Sequence, residues 1–220
     1  MIAPELTQLT ASTSGRTPRR HRAGAAWSGG VFLAAVVGTV IVYRHLWADP
    51  VHRTLAGHIN DPMQMMWFLK WVPWQLLHGH NPFTTDALFY PRGVSLTWNT
   101  AVPTLGVLAA PLTLTVGPAL SFAVLLTLGP ALTSLTGFWW LRRHTTRYAP
   151  AALGGFVIGF SPFIAGHLLG HLNLVFAVLI PIVLMLVEDL LWRALARPDG
   201  PRPTSGWSAP RRWASARNRC

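Results

Sequence analysis

The sequence predicts an all-α integral membrane protein with about four transmembrane helices, plus surface-lying helices in a large outer loop. Two observations lead to this fold class. Hydrophobic residues make up 51% of the 220 residues and charged residues only 11%, whereas soluble domains carry about 25% charged residues. In addition, long apolar stretches alternate with short segments rich in Pro, Gly and Arg. This pattern is typical of a chain that crosses a bilayer several times.

Four stretches reach the roughly 20 apolar residues that a membrane-spanning helix needs. They cover residues 27–46, 118–141, 149–168 and 172–192. Trp27 and Trp47 flank the first stretch, as aromatic residues do at membrane surfaces. A signal peptide is the alternative for this stretch, but no small-x-small cleavage site follows it, so we expect an uncleaved anchor. The third stretch is rich in Gly, which favours close packing between helices.

A fifth apolar piece, residues 102–116, is shorter than a span and contains two prolines, which indicates a segment in the membrane interface. The basic residues support this interpretation. Segments 1–26 and 142–147 and the tail after Trp192 carry four, three and seven Arg, 14 of the 18 basic residues. Because basic residues favour the cytoplasmic side, all three segments should share one side. Four spans place all three basic segments on the same side of the membrane. A short fifth span at 102–116 remains the alternative.

This topology divides the chain into three parts. Residues 1–26 form a basic cytoplasmic tail, and residues 27–192 form a membrane module of the plasma (inner) membrane. Within the module, residues 47–117 lie outside, and we call them the long loop. Residues 193–220 are rich in Arg, Pro, Ser and Trp without an apolar period. We expect this tail to be disordered or to be translated out of frame.

The long loop contains the polar residues that could perform chemistry. Its motif NDP predicts a helix start, with Asp61 as the N-cap and Pro62 at the first helical position. The following residues 63–72 are apolar and rich in Met and Trp, and Pro73 should break or kink the helix. An apolar, Trp-rich helix next to a span is expected to lie along the membrane surface.

The order of these features resembles the amino-terminal part of the GT-C superfamily of membrane glycosyltransferases. The likeness rests on the segments NDPMQMMWFLKWVPWQLLHGHNPFTTDALFYPRG, TLGVLAAPLTLTVGP and LRRHTTRYAPAALGGFVIGFSPF, and it covers residues 27–192. It implies transfer of a hexosyl or pentosyl group from a polyprenyl-phosphate donor to an acceptor at the outer membrane face. Because the superfamily typically has more than four spans, we expect this chain to be a truncated copy or a fragment of such an enzyme.

The resemblance also implies roles for individual residues. Asp61 matches the acid of the superfamily's first outer loop, which positions or deprotonates the acceptor hydroxyl or helps to bind a divalent metal ion (Mg²⁺ or Mn²⁺). The donor phosphate needs cations, for which Lys70 and Arg92 are the candidates, and His80 and Asp86 join them as candidate substrate-binding residues. For Lys70, snorkelling from a surface helix is an equally good explanation.

Two histidines, His167 and His171, lie four residues apart at the end of the third stretch. On a helix they would share one face, as metal ligands do, and they should lie on the same side of the membrane as Asp61. The three residues are therefore a candidate metal site, with two interfacial histidines in a polar turn as the alternative. Glu188 and Asp189 lie at the opposite end of the last stretch, where a structural role is expected.

The alternative function is that of a non-catalytic multi-pass membrane protein: a scaffold, a subunit or a transport-related protein. The scarcity of ionisable residues inside the spans counts against transport. Topology explains the excess of Arg, and no motif of nucleic-acid binding accompanies it. The expected partners are therefore the lipid bilayer and a polyprenyl-phosphate sugar, and not nucleic acid.

Overall fold

The computed structural model describes residues 17–53, 60–99 and 101–195 of the chain, and helices dominate this part. In chain order the elements are α1 Thr17–Val42, α2 Arg44–Trp47, α3 Asn60–Leu77, β1 Thr84–Thr85, β2 Val94–Ser95, a 3₁₀ turn Leu96–Trp98, α4 Pro103–Leu108, α5 Ala110–Val116, α6 Pro118–His144, α7 Tyr148–Gly159, α8 Pro162–His167, α9 Leu172–Val175 and α10 Leu179–Leu195. Residues 1–16 and 196–220 of the two tails lie outside the described residues.

Four helical segments are long and apolar enough to cross a membrane. They are Arg22–Val42, Pro118–His144, Tyr148–His167 and Leu172–Ala194. These segments match the four stretches that the sequence predicts, and they confirm the all-α membrane fold class. The apolar piece 102–116 is not among them, because it forms two short helices, α4 and α5, instead of one long one.

The third and fourth spans are each interrupted by a proline. Pro162 lacks an N–H group and disfavours a helical Ser161, so α7 ends and α8 begins there. Pro181 cannot bond to the carbonyl group of Ala177, and α10 starts only two residues before it. The Thr136 hydroxyl of α6 lies 3.3 Å from the carbonyl oxygen of Val178, in the second interruption. A side chain of the bundle thus satisfies backbone that the break exposes, as a membrane interior requires.

Side-chain contacts show which ends of the spans lie together. At one end of the bundle, Trp139 Nε1 of α6 donates to Ser28 Oγ of α1 at 3.0 Å. Arg143 of α6 forms an ion pair with Asp189 of α10 at the same end, which we call the Arg143 end. The second and fourth spans both finish there, and the first begins there.

The opposite end of the bundle is defined by a contact between the first and third spans. Tyr43, directly after α1, is buried, and its hydroxyl donates to the carbonyl oxygen of Leu168 at 2.6 Å. Asp61 contacts His171 there too, and we call this the Asp61 end. Consecutive spans therefore run in opposite directions, as the arrangement of basic segments requires.

The tightest packing joins α7 to α6 through two glycines. A Cβ atom at Gly155 would lie 2.6 Å from the carbonyl oxygen of Ser134 and 2.7 Å from the backbone nitrogen of Phe138. A Cβ atom at Gly159 would lie 2.6 Å from the carbonyl oxygen of Pro130. The two helices therefore meet backbone to backbone. The expectation that small residues of this span serve helix packing is confirmed.

The long loop packs on the Asp61 end of the bundle through α3. Met65, Phe68 and Leu69 are buried in one apolar cluster with Phe122 and Leu126 of α6. The helix α3 continues through Pro73 to Leu77. The prediction that Pro73 breaks the helix is therefore wrong. Val72 and Pro73 are both buried, and Val72 packs against Gly106 of α4, so tertiary contacts hold the proline segment in helical form.

Candidate functional site

The most distinctive polar contact of the Asp61 end is the pair formed by Asp61 and His171. Nε2 of His171 lies 3.1 Å from Oδ2 of Asp61, and both side chains are 37% exposed. The acid comes from the long loop and the imidazole from the turn between the third and fourth spans. Folding therefore brings a proton-accepting group and a partner from a distant part of the chain to one partly exposed place.

The local backbone explains how the two residues approach each other. The first turn of α3 presses the buried Pro62 against Gly170, the neighbour of His171. Gly170 has a φ of +131°, and a Cβ atom there would lie 2.7 Å from Cγ of Pro62. Only glycine allows both this backbone conformation and this proximity.

The position of Asp61 in α3 differs from the prediction. The helix begins at Asn60, so Asp61 lies in the first turn and not at the preceding cap. The carboxylate still lies in the first turn, near the positive end of the helix dipole. Its contact is with His171, so a polar partner outside α3 and not the helix alone fixes the side chain.

The imidazole of His171 has only one nitrogen available for chemistry. Its Nδ1 is buried and has no hydrogen-bond partner in the described part of the chain. Nε2 faces a carboxylate, which accepts but does not donate when ionised, so we assign the ring proton to Nε2. A substrate can therefore meet the Asp61 carboxylate, whereas His171 orients that carboxylate from behind.

His167, the second histidine of the predicted metal site, stands next to this pair. Its Nδ1 donates to the carbonyl oxygen of Phe163 at 2.6 Å. Its ring lies edge-on to that of His171, with 5.4 Å between the ring centroids. The three residues of the predicted metal site thus come to the same place, at the same end of the bundle.

The arrangement of these residues nevertheless does not fit a metal ion. His171 is engaged with Asp61 through one nitrogen, and its other nitrogen is buried. Mg²⁺ and Mn²⁺ prefer oxygen ligands, and this group offers one carboxylate. No group of three or more His, Cys, Asp or Glu side chains among residues 17–53, 60–99 and 101–195 is placed to hold a metal. We derive no catalytic step through a metal.

A second polar region lies at the carboxyl-terminal end of α3, and we call it the hairpin cleft. It has a volume of about 500 Å³ and contains three of the four residues that the sequence offers as substrate ligands. It is lined by Gln75, His80, Asn81, Thr84, Thr85, Asp86, Arg92, Gly93, Val94 and Ser95. The strands β1 and β2 pair antiparallel beside it and bring Asp86 and Arg92 to the same opening.

One contact in the hairpin cleft fixes a histidine. Nδ1 of His80 lies 3.2 Å from Oε1 of the buried Gln75. The amide oxygen only accepts, so Nδ1 carries the proton and Nε2 of His80 is left as an acceptor. The cleft therefore offers acceptors, hydroxyl groups and one guanidinium group.

The structure does not bring all the predicted site residues together. Along α3, Asp61 and Gln75 are separated by 14 residues, which corresponds to about 21 Å at the rise of an α-helix. Lys70 is exposed on the same helix between them. Asp61 and the hairpin cleft are therefore separate places, with Lys70 between them along α3, and one sugar unit cannot contact both Asp61 and the cleft at once.

The acids at the Arg143 end have the structural role that the sequence suggests. Nε of Arg143 lies 3.4 Å from Oε2 of Glu188, and the same guanidinium group pairs with Asp189. Trp140 Nε1 also donates to Glu188 at 2.8 Å. These contacts tie α10 to α6 at the opposite end from Asp61.

Sequence reasoning missed the partner of Asp61. It treated His171 as a metal ligand, because the spacing of the two histidines was the visible signal. The pairing depends on how α3 docks on the bundle, which no local pattern encodes.

Comparisons of the chain with models of protein families, with curated proteins and with solved structures each found no match.

Proposed function

We propose that the chain is a membrane glycosyltransferase of the GT-C type, or a part of one. It would transfer a hexosyl or pentosyl group from a polyprenyl-phosphate donor to an acceptor hydroxyl at the outer membrane face. The observation that supports this most is the Asp61–His171 pair, a carboxylate held by a distant imidazole at one end of a membrane bundle. The order of sequence features that resembles the superfamily is the second support.

In this proposal Asp61 acts as the general base. The acceptor oxygen attacks the anomeric carbon of the sugar, and the bond from that carbon to the phosphate oxygen breaks. The acceptor proton passes to the Asp61 carboxylate, and polyprenyl phosphate leaves with the bonding electrons. A base of this kind must lie within hydrogen-bond distance of the proton it takes, and the 37% exposure of Asp61 leaves room for a hydroxyl group.

His171 is a positioning residue in this mechanism. Its Nε2–H group occupies one carboxylate oxygen, Oδ2, and leaves Oδ1 to face the acceptor. The hairpin cleft lies too far along α3 to hold the reacting sugar. We therefore assign His80, Asp86 and Arg92 to a more distant part of a substrate, and we assign Lys70 to the membrane surface.

The test is a transfer assay with the chain reconstituted in lipid vesicles and radiolabelled polyprenyl-phosphate sugars as donors. Asp61→Asn keeps the shape of the side chain but removes the base. Loss of general-base catalysis typically lowers a rate about 100-fold or more, so we expect at least that loss. His171→Asn should lower kcat with little change in KM, because the imidazole contacts Asp61 and not the substrate.

The matched control is Asp49→Asn. Asp49 is another acid of the long loop that pairs with a histidine, with 3.0 Å between its Oδ1 and Nδ1 of His52. The backbone N–H group of His52, followed by its ring, holds the pKa of the Asp49 carboxyl below its ordinary value. We expect Asp49→Asn to leave transfer unchanged.

Two results would contradict the proposal. Transfer that is unaffected by Asp61→Asn would remove Asp61 from the chemistry. No transfer by the folded wild-type chain with any donor, together with an effect of Asp61→Asn on folding yield only, would favour the alternative of a non-catalytic scaffold, subunit or transport-related protein.

A further inference from the structure

A second surface of the long loop is formed by large apolar side chains that the protein does not cover. Between β1 and β2, the consecutive residues Leu88, Phe89 and Tyr90 are 47%, 78% and 82% exposed. Trp98, which follows β2, is 94% exposed. We call Leu88, Phe89 and Tyr90 the aromatic tip; Trp98 follows the opposite end of the strand pair and is not part of it. A cluster of this kind marks a surface that contacts something other than water.

The backbone of the hairpin holds the aromatic tip outward. Phe89 adopts a φ of +57°, which is uncommon for a residue with a bulky side chain. Its carbonyl oxygen accepts hydrogen bonds from the backbone N–H groups of Arg92 and Gly93, at 3.0 and 3.2 Å. A turn with two such bonds keeps its shape. The exposure of Phe89 and Tyr90 is therefore built into a defined turn.

The hairpin does not bury these side chains in its own core. Thr85, on β1, is buried, and so is Leu96 after β2, whereas the residues of the tip point away from that interior. A loop whose function required only the polar cleft would have no need for three consecutive apolar residues beside it. Three consecutive exposed side chains of this size favour an apolar environment on the outer surface of the tip.

The rest of the molecule indicates that the lipid bilayer covers the aromatic tip. Four membrane-spanning segments fix the long loop next to a lipid surface. The neighbouring helices of the loop also expose apolar side chains, such as Leu77 of α3 and Leu108 of α4, and α5 continues into the second span with one glycine between them. The last helix of the loop thus joins a membrane-spanning helix directly, which keeps this part of the loop at the membrane surface.

The chemistry of the aromatic tip also matches the membrane interface. Tyr and Trp concentrate at the level of the lipid headgroups, where the ring is apolar and its polar atom meets water. Arg92, two residues after Tyr90, is exposed and can meet a headgroup phosphate while its stem lies along apolar surface. Aromatic side chains beside a cation are the pattern of segments that bind in the interface.

We propose that the aromatic tip inserts into the interfacial layer of the leaflet on the Asp61 side, and that it anchors the hairpin to the bilayer. The hairpin cleft then opens at the level of the headgroups, because Asp86 and Arg92 on either side of the tip line that cleft. This inference rests on the membrane fold and the exposure of the tip, and not on the proposed sugar transfer.

The test measures the depth of a label at the tip. The chain has one cysteine, Cys220, so Cys220→Ser gives a cysteine-free background. Phe89→Cys is labelled with an environment-sensitive fluorophore, and the full chain is reconstituted in vesicles of phosphatidylcholine and phosphatidylglycerol. We expect blue-shifted emission that a lipid-attached quencher removes and that aqueous iodide leaves largely unchanged. Tyr90→Cys should behave in the same way.

The matched control is Asp86→Cys, three residues from Phe89 on the same loop and exposed at the hairpin cleft. Because the cleft opens at the level of the headgroups, its label should be quenched by iodide much more strongly, and by the lipid quencher much more weakly, than the label at Phe89. Quenching of the Phe89→Cys label by iodide to the same degree as the control would overturn the proposal. A label that neither quencher reaches would also overturn it, and would indicate a protein partner such as a second copy of the chain.

Discussion

Replacement of Gly155 by Ala tests the packing on which the whole bundle depends. The added methyl group would meet the Ser134 carbonyl oxygen at 2.6 Å and the Phe138 backbone nitrogen at 2.7 Å. Real Cβ atoms do not approach other atoms this closely, and these neighbours are backbone atoms that cannot rotate away. α7 must therefore move away from α6, and the contacts between the two helices loosen.

The expected size of the effect is the difference between two terms. Overpacking of a well-packed interior costs about 1–3 kcal/mol, and separation of two helices places this change at the upper end. Ala is favoured over Gly in a helix by up to about 1 kcal/mol, which offsets part of the cost. Gly155→Ala should therefore destabilise the bundle by about 2 kcal/mol or slightly more.

A glycine of α1 supplies the control. Gly29 has no atom within 4 Å of the place where a Cβ would lie. Gly29→Ala thus gains the same helix preference without a clash, and its stability should equal or exceed that of the wild type. The two variants are compared by SDS-induced unfolding in mixed micelles, followed by circular dichroism. Equal stability of Gly155→Ala and Gly29→Ala would refute the backbone contact between α7 and α6.

Three further predictions concern single contacts and the topology. Tyr43→Phe removes the hydrogen bond to the Leu168 carbonyl and should lower the free energy of unfolding by about 1 kcal/mol, in the same unfolding assay. Arg143→Ala leaves two carboxylates without their cation and should cost about 1–3 kcal/mol; an unchanged stability would show that the ion pairs contribute nothing. In intact cells with a Cys220→Ser background, a membrane-impermeant maleimide should label Arg92→Cys and not Thr146→Cys, and the reverse result would invert the topology.

The sequence predicts the membrane-spanning part of the fold well, because lipid imposes simple rules on it. Length and apolar composition alone identify a span, and the four stretches match the four helices. Pro162 disfavours a helical conformation of the residue before it, and Gly155 and Gly159 lie on one face at a spacing of four residues. These features depend on neighbours in the chain, so a pattern can reveal them.

The candidate site was less predictable, because it depends on contacts between distant segments. The importance of Asp61 could be inferred from its position before an apolar helix, but its partner His171 follows from the docking of Pro62 on Gly170. The two-residue strands β1 and β2 are too short to leave a periodic signal, so the hairpin cleft was not foreseen. His80, Asp86 and Arg92 could be named as polar residues, but not as neighbours.

The most direct test of this account is a crosslinking measurement on Asp61 and His171 in native membranes. In the Cys220→Ser background, Asp61→Cys/His171→Cys is treated with a short bifunctional maleimide, and Asp61→Cys/Arg92→Cys serves as the control across the length of α3. We predict an intramolecular crosslink in the first variant and none in the second. If both cysteines of the first variant react with single maleimides but do not crosslink, the contact that defines the site is absent, and the proposed role of Asp61 loses its structural basis.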